Sequence, residues 1–132
     1  MQELRNKSKH KGLKHYFYST KYSFEGLLYA YKNEKSLWMH GLCSIVDICL
    51  GIIFKITLVQ WSMILISLGV ILSIELLNTA IEAVVDMITL EYHPLAKIAK
   101  DCGSAATFVA VLIAVVLNAF IFIPKIMVLL HL

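Results

Sequence analysis

Residues 58–88 read LVQWSMILISLGVILSIELLNTAIEAVVDMI, and the fold turns on how this run is taken. It is about 31 residues long, against the roughly 20 a helix needs to cross hydrocarbon. Its first part, to Ile74, carries no charge, whereas the stretch ELLNTAIEAVVD at 75–86 holds Glu75, Glu82 and Asp86, with Asn78 between them. An open chain in lipid must close its backbone hydrogen bonds within the segment, so the run is a helix. Its excess length carries one end beyond the hydrocarbon, and the carboxylates lie at that end.

A helix turns about 100° per residue, so with Glu75 at zero the positions of Asn78, Glu82 and Asp86 share an arc of roughly 80°. The opposite face, with Leu76, Ile81, Ala83 and Val84, is apolar or small. An acid at the centre of a membrane helix costs about 2.5–3.5 kcal/mol on an insertion scale, and a Leu or Ile returns only about 0.3–0.6 kcal/mol. Four polar groups in register on so apolar a rod are therefore a functional candidate, with snorkelling or helix pairing as the simpler explanation.

The rest of the chain fits the same picture. Of its 132 residues 59% are hydrophobic and 16% charged, against about 25% charged in a soluble domain; a fold this small could not hide so much apolar surface from water. Apolar stretches at 37–54, broken by Asp47, and at 105–123, free of charge, complete three spans. The expected organisation is a basic tail at 1–14 and one membrane domain at 15–132. Within that domain come a surface helix over about 15–33 and transmembrane helices over about 36–54, 58–89 and 95–123. The segment HYFYSTKYSFEGLLYAYKNEK at 15–35 is aromatic and interrupted by charge, which suits an amphipathic helix at headgroup level rather than a span.

Basic residues cluster at the N-terminus: Arg5, Lys7, Lys9, Lys11, Lys14, Lys21, Lys32 and Lys35 precede the first span. An anionic membrane surface is a better partner for them than nucleic acid. With Lys97 and Lys100 near the second connection and only Lys55 in the first, the positive-inside rule puts the N-terminus and the second connection in the cytoplasm. Cys43, Cys49 and Cys102 form no metal-binding pattern and read as small core residues with free thiols. Asp47 is expected in a buried pairing or a water-lined groove, and Trp38 and Trp61 as interface anchors.

A second polar stripe follows the second connection. In HPLAKIAKDCGSAA, Lys97, Lys100, Asp101 and Ser104 have helical spacing, and Pro94 suits a first helical turn. Facing the carboxylates, this stripe would put cations, acids and a hydroxyl at the membrane edge. Metal-binding carboxylates, a lysine and a base are the components of phosphoryl transfer. Neither GxxxxGK[ST] nor GxGxxG is present, so phosphate must be gripped in another way.

ELLNTAIEAVVD, EYHPLAKIAKD and GSAA, with YSFEGL at 22–27 and Asn33-Glu34 upstream, resemble the bacterial diacylglycerol kinase family, which includes undecaprenol kinases. The resemblance covers roughly 15–123. It implies an all-α integral membrane protein, three transmembrane helices and an N-terminal surface helix per subunit, assembled as a homotrimer with shared active sites in the bacterial cytoplasmic membrane. It implies transfer of the γ-phosphate of ATP, with Mg²⁺ (Mn²⁺ would fit the same oxygens), to a lipid hydroxyl. By position, Glu75 matches the general base and Asn78 the asparagine beside it. Glu34 and Glu82 match the carboxylates that hold metal and nucleotide. His15, Tyr22, Glu91, Tyr92, His93, Lys100 and Asp101 match nucleotide-contacting positions, His15 standing where some members have arginine. Ser104, the surface helix from Ser19 through Ser23 and Phe24 to Tyr31, and Trp38 match the lipid side. In SLWMHG at 36–41, Trp38 and His40 stand where relatives can have Arg and Glu.

Diacylglycerol, giving phosphatidic acid, is the expected acceptor; undecaprenol is the alternative, since HPLAKIAKD is closer to undecaprenol kinases and CGSAAT to diacylglycerol kinases. A non-enzymatic alternative is a small ion or proton conductor, for which carboxylates along one helix would also serve.

Overall fold

A computed structural model describes residues 13–131, which form four helices: α1 (Leu13–Asn33), α2 (Lys35–Ile53), α3 (Leu58–Ile88) and α4 (Pro94–Leu129). They fall into two compact units that divide between Asn33 and Glu34. Residues 1–12 of the expected basic tail lie outside the described residues, and Leu13 and Lys14 belong to α1.

In the first unit, α1 supports itself by local bonds. Thr20 donates to the Tyr16 carbonyl at 2.9 Å, Ser23 to that of Ser19 at 3.0 Å, and Asn33 Nδ2 to that of Tyr29 at 2.7 Å. Tyr18 and Tyr22 stack one turn apart.

In the second unit, α2, α3 and α4 are each long and apolar enough to cross a membrane. Short connections make neighbours antiparallel. At about 1.5 Å per residue, α3 and α4 run about 46 and 54 Å, beyond a hydrocarbon layer of roughly 30 Å. Most of their large apolar side chains are exposed on the single chain, as lipid or a neighbouring subunit requires.

Boundaries follow local chemistry. Thr57 caps α3 through a reciprocal box: its hydroxyl accepts from Gln60 N at 3.3 Å, and Gln60 Oε1 accepts from Thr57 N at 3.0 Å. His93 caps α4, its Nδ1 accepting from Leu95 N at 3.2 Å, with Pro94 in the first turn, where its missing N–H costs nothing. Although the sequence places the end of the third span at 123, α4 continues through Pro124 to Leu129. The ring removes a single backbone donor, and the helix resumes beyond it.

α3 packs most extensively against α4, and α2 meets α3 over a shorter stretch. Near the first connection Ile56, Ile64, Ile121 and Phe122 form a core, joined by Leu50, Phe54, Trp61 and Leu68. Trp61 is thus a packing residue as well as an anchor candidate. Its ring lies over Gly51, where a Cβ would come within 2.7 Å of it. Farther along, Ile71 packs on Ala110 and Ala114, small residues that let α3 and α4 approach. The cysteines are free thiols, as expected, but all three are exposed rather than core residues, because they lie on outward helix faces of the single chain.

Candidate functional site

The end of α3, the start of α4 and the start of α2 meet at the end of the bundle that carries the second connection. Glu75 is buried there, 3% exposed. Its Oε1 lies 2.9 Å from His40 Nε2 on α2, and Thr79 donates to the Glu75 carbonyl at 3.0 Å. One turn on, Asn78 Nδ2 donates to Glu82 Oε1 at 2.9 Å. Asn78 Oδ1 is buried without a hydrogen-bond partner. It sits against Gly103 of α4, where any Cβ would collide with it. Gly103 is needed at this point because the α4 backbone passes directly over the Asn78 amide.

The two polar stripes do face each other: Lys100 of α4 donates to Asp86 Oδ1 of α3 at 2.6 Å. Lys97 pairs with Asp101 along α4. These residues line an open cleft of about 410 Å³ together with Glu91, Tyr92 and His93 of the connection. The connection is held by the Thr89 side chain, which accepts from Glu91 N at 3.1 Å. Glu34, the N-cap of α2, stands close enough to α3 to feel its acids. Burial, and then the negative charges of Glu82 and Glu75, push its carboxyl above its ordinary value.

Five of the nucleotide-side positions, Glu91, Tyr92, His93, Lys100 and Asp101, thus share one cleft. Glu34, Glu75 and Glu82 do not line it, and the charges of Glu82 and Glu75 act on Glu34. Ser104 and Trp38 are exposed on α4 and α2. His15, Ser19, Tyr22, Ser23, Phe24 and Tyr31 lie on α1, in the other unit. Among the described residues no group of three or more His, Cys, Asp or Glu side chains is placed to hold a metal ion.

Two pairings join residues far apart in sequence. Asn118 Nδ2 donates to Asp47 Oδ2 at 3.1 Å, so Asp47 has a pairing partner, half-buried rather than buried. His40 and Asp47 stand two turns apart on α2 and line one groove with Asn118. The contact of His40 with Glu75 was not legible in the sequence. A histidine seven residues from an acid on an apolar helix is the only hint, and it does not say which carboxylate the ring meets.

A polytopic membrane protein with a carboxylate-lined, lysine-bearing cleft at one end of its helices is the class these features define. The chain belongs to the prokaryotic diacylglycerol kinase family, whose model matches residues 21–122. It is 34% identical over 113 residues to the undecaprenol kinase of Bacillus subtilis (strain 168), covering 86% of this chain and 92% of that one. It is 39% identical over 105 residues to a diacylglycerol kinase of Pseudomonas aeruginosa, covering 80% and 85%. With the diacylglycerol kinase of Escherichia coli (strain K12) it shares 36% over 95 residues, covering 72% and 78%. Membership makes the chain a lipid kinase with ATP as phosphate donor, and the ion-conductor alternative loses its support.

Proposed function

We propose that the protein transfers the γ-phosphate of MgATP to the primary hydroxyl of diacylglycerol, giving phosphatidic acid, at the cytoplasmic face of the bacterial inner membrane. The observation that carries the reading is the buried Glu75 carboxylate, on one helical face with the Asn78–Glu82 pair and beside the lysine-bearing cleft.

Glu75 takes the hydroxyl proton as the alcohol oxygen attacks the γ-phosphorus and the bond to ADP breaks. Asn78 holds Glu82 in place. Glu34 and Glu82 would hold Mg²⁺, which needs only one or two carboxylates besides phosphate oxygens; Mn²⁺ would fit the same donors. The mutual repulsion at Glu34 is what a cation there would relieve. When bound, the metal supplies charge neutralisation on the phosphates. Lys100 offers further positive charge, and Asp101, Glu91, Tyr92 and His93 form the nucleotide side of the cleft. His15 and Tyr22 of α1, taken as an amphipathic surface helix, are assigned as nucleotide-contacting positions. Ser19, Ser23, Phe24, Tyr31, Trp38 and Ser104 belong to the lipid side. A homotrimer with shared sites would cover the apolar helix faces that the single chain leaves exposed.

Undecaprenol is the second acceptor to test, since the Bacillus subtilis undecaprenol kinase matches 86% of this chain, more than either diacylglycerol kinase above. The experiment is a side-by-side rate comparison. Purified protein in detergent receives [γ-³²P]ATP, Mg²⁺ and either diacylglycerol or undecaprenol. Faster labelling of diacylglycerol is expected. Faster labelling of undecaprenol reverses the acceptor, and no labelled lipid from either rejects the reading.

A further inference from the structure

We infer that His40 is a positioning residue for Glu75: its ring N–H fixes one carboxylate oxygen and leaves the other aimed at the acceptor hydroxyl. The inference rests on the base role given to Glu75 above.

Glu75 is 3% exposed, and a buried carboxylate with no hydrogen-bond donor is costly. His40 Nε2 stands 2.9 Å from Oε1. An ionised carboxylate only accepts, so Nε2 must carry the proton, which sets the tautomer or the charge of the ring. The ring is itself restricted by its surroundings: the His40 side chain is three-quarters buried, 25% exposed. A donor fixed on the neighbouring helix locks the rotation of the Glu75 carboxyl, which its own helix does not. Oε2 remains for the hydroxyl. In the transfer the alcohol O–H bond breaks and an O–H bond to Oε2 forms, while Oε1 keeps the bond from His40. The imidazole neither gains nor loses a proton in this step.

A donor role differs from a proton-accepting role in what can replace it. Glutamine places an amide N–H near the position of Nε2 and does not titrate. Asparagine carries the same group but is too short to reach. Leucine fills the space and donates nothing. The full-length protein, in detergent with diacylglycerol, undecaprenol and MgATP, is assayed as wild type and as His40→Leu, His40→Asn, His40→Gln and Glu75→Gln.

The expected result is a fall in kcat of about 100-fold for His40→Leu and His40→Asn, the scale of an ångström-level misplacement of a reacting group. KM for lipid and for MgATP stays within about threefold. His40→Gln restores most of the lost turnover. Should His40→Leu fail to fold, the Asn–Gln contrast carries the test. A His40→Gln enzyme as slow as His40→Asn overturns the positioning role, as does a defect confined to KM. Glu75→Gln separates the two levels. If it is inactive while His40→Asn is unimpaired, the inference about His40 fails alone. If it keeps full turnover, the base assignment fails, and the inference falls with it.

Discussion

The two ends of the α2–α3–α4 bundle are built on opposite plans. Around the first connection, Ile56, Ile64, Ile121 and Phe122 pack with Phe54 and Trp61, and the Thr57–Gln60 box closes the start of α3. The side-chain bonds at this connection, within the Thr57–Gln60 box and from Ser62 to the Leu58 carbonyl, are local. Around the second connection the contacts are polar and cross between helices: His40 to Glu75, Lys100 to Asp86, and Asn78 against Gly103. Here Asn78 Oδ1 has no partner, and the charges of Glu82 and Glu75 act on Glu34. Such repulsion is not a stabilising arrangement. The first end holds the helices together, which lets the second keep groups poised for a ligand.

The contrast breaks most visibly at Glu75. Glu75→Gln is expected to cut turnover by about 1,000-fold, within the range for loss of a general base. The thermal midpoint should hold or rise, because an amide is cheaper to bury than a carboxylate. Lipid phosphorylation measured beside a melting curve checks both, and a large fall in midpoint with turnover retained would invert the assignment.

Phe122→Ala should show the reverse pattern. It removes a ring packed against Phe54 and should cost roughly 3 kcal/mol of stability, the low end for buried aromatic truncations. Below its own melting temperature kcat should be near wild type, since the residue lies at the far end of α4 from the cleft. Denaturation of the detergent-solubilised protein together with kcat tests this. Loss of kcat in a fully folded variant would mean that the two ends are not separable.

The smallest effect concerns Glu34. Its carboxyl binds a proton more tightly than an ordinary one, so its ionisation works against the folded chain above that raised value and is relieved as the pH falls through it. A cation held there competes with the proton. Apparent Mg²⁺ affinity should be at its full value above the raised pKa and weaken as pH falls through it. Glu34→Gln should lower the affinity by several-fold and flatten this dependence. Activity titrated with Mg²⁺ at stepped pH reads the difference, and an unchanged pH slope in the variant would remove Glu34 from the cation site.

Much of this was legible in the sequence because it depends on near neighbours. Hydropathy and length set the three spanning helices, the 3.6-residue period put Glu75, Asn78, Glu82 and Asp86 on one face of α3, and Pro94 marked the start of α4. The continuation of α4 past Pro124 was not legible, since a proline is locally a stop and only the unbroken helix on either side overrides it.

Register between helices was beyond the sequence. It decided that Glu75 is buried while Asp86 is exposed, although both belong to one stripe. Register also chose His40 for Glu75, Lys100 for Asp86, Asn118 for Asp47 and the bare backbone of Gly103 for Asn78. The sequence by itself determined the helices and the side of α3 that is polar, because rise and rotation per residue are fixed by the backbone. Only the tertiary structure decided which groups touch, because the sliding and crossing of helices answer to the packing of small and large side chains along their whole length.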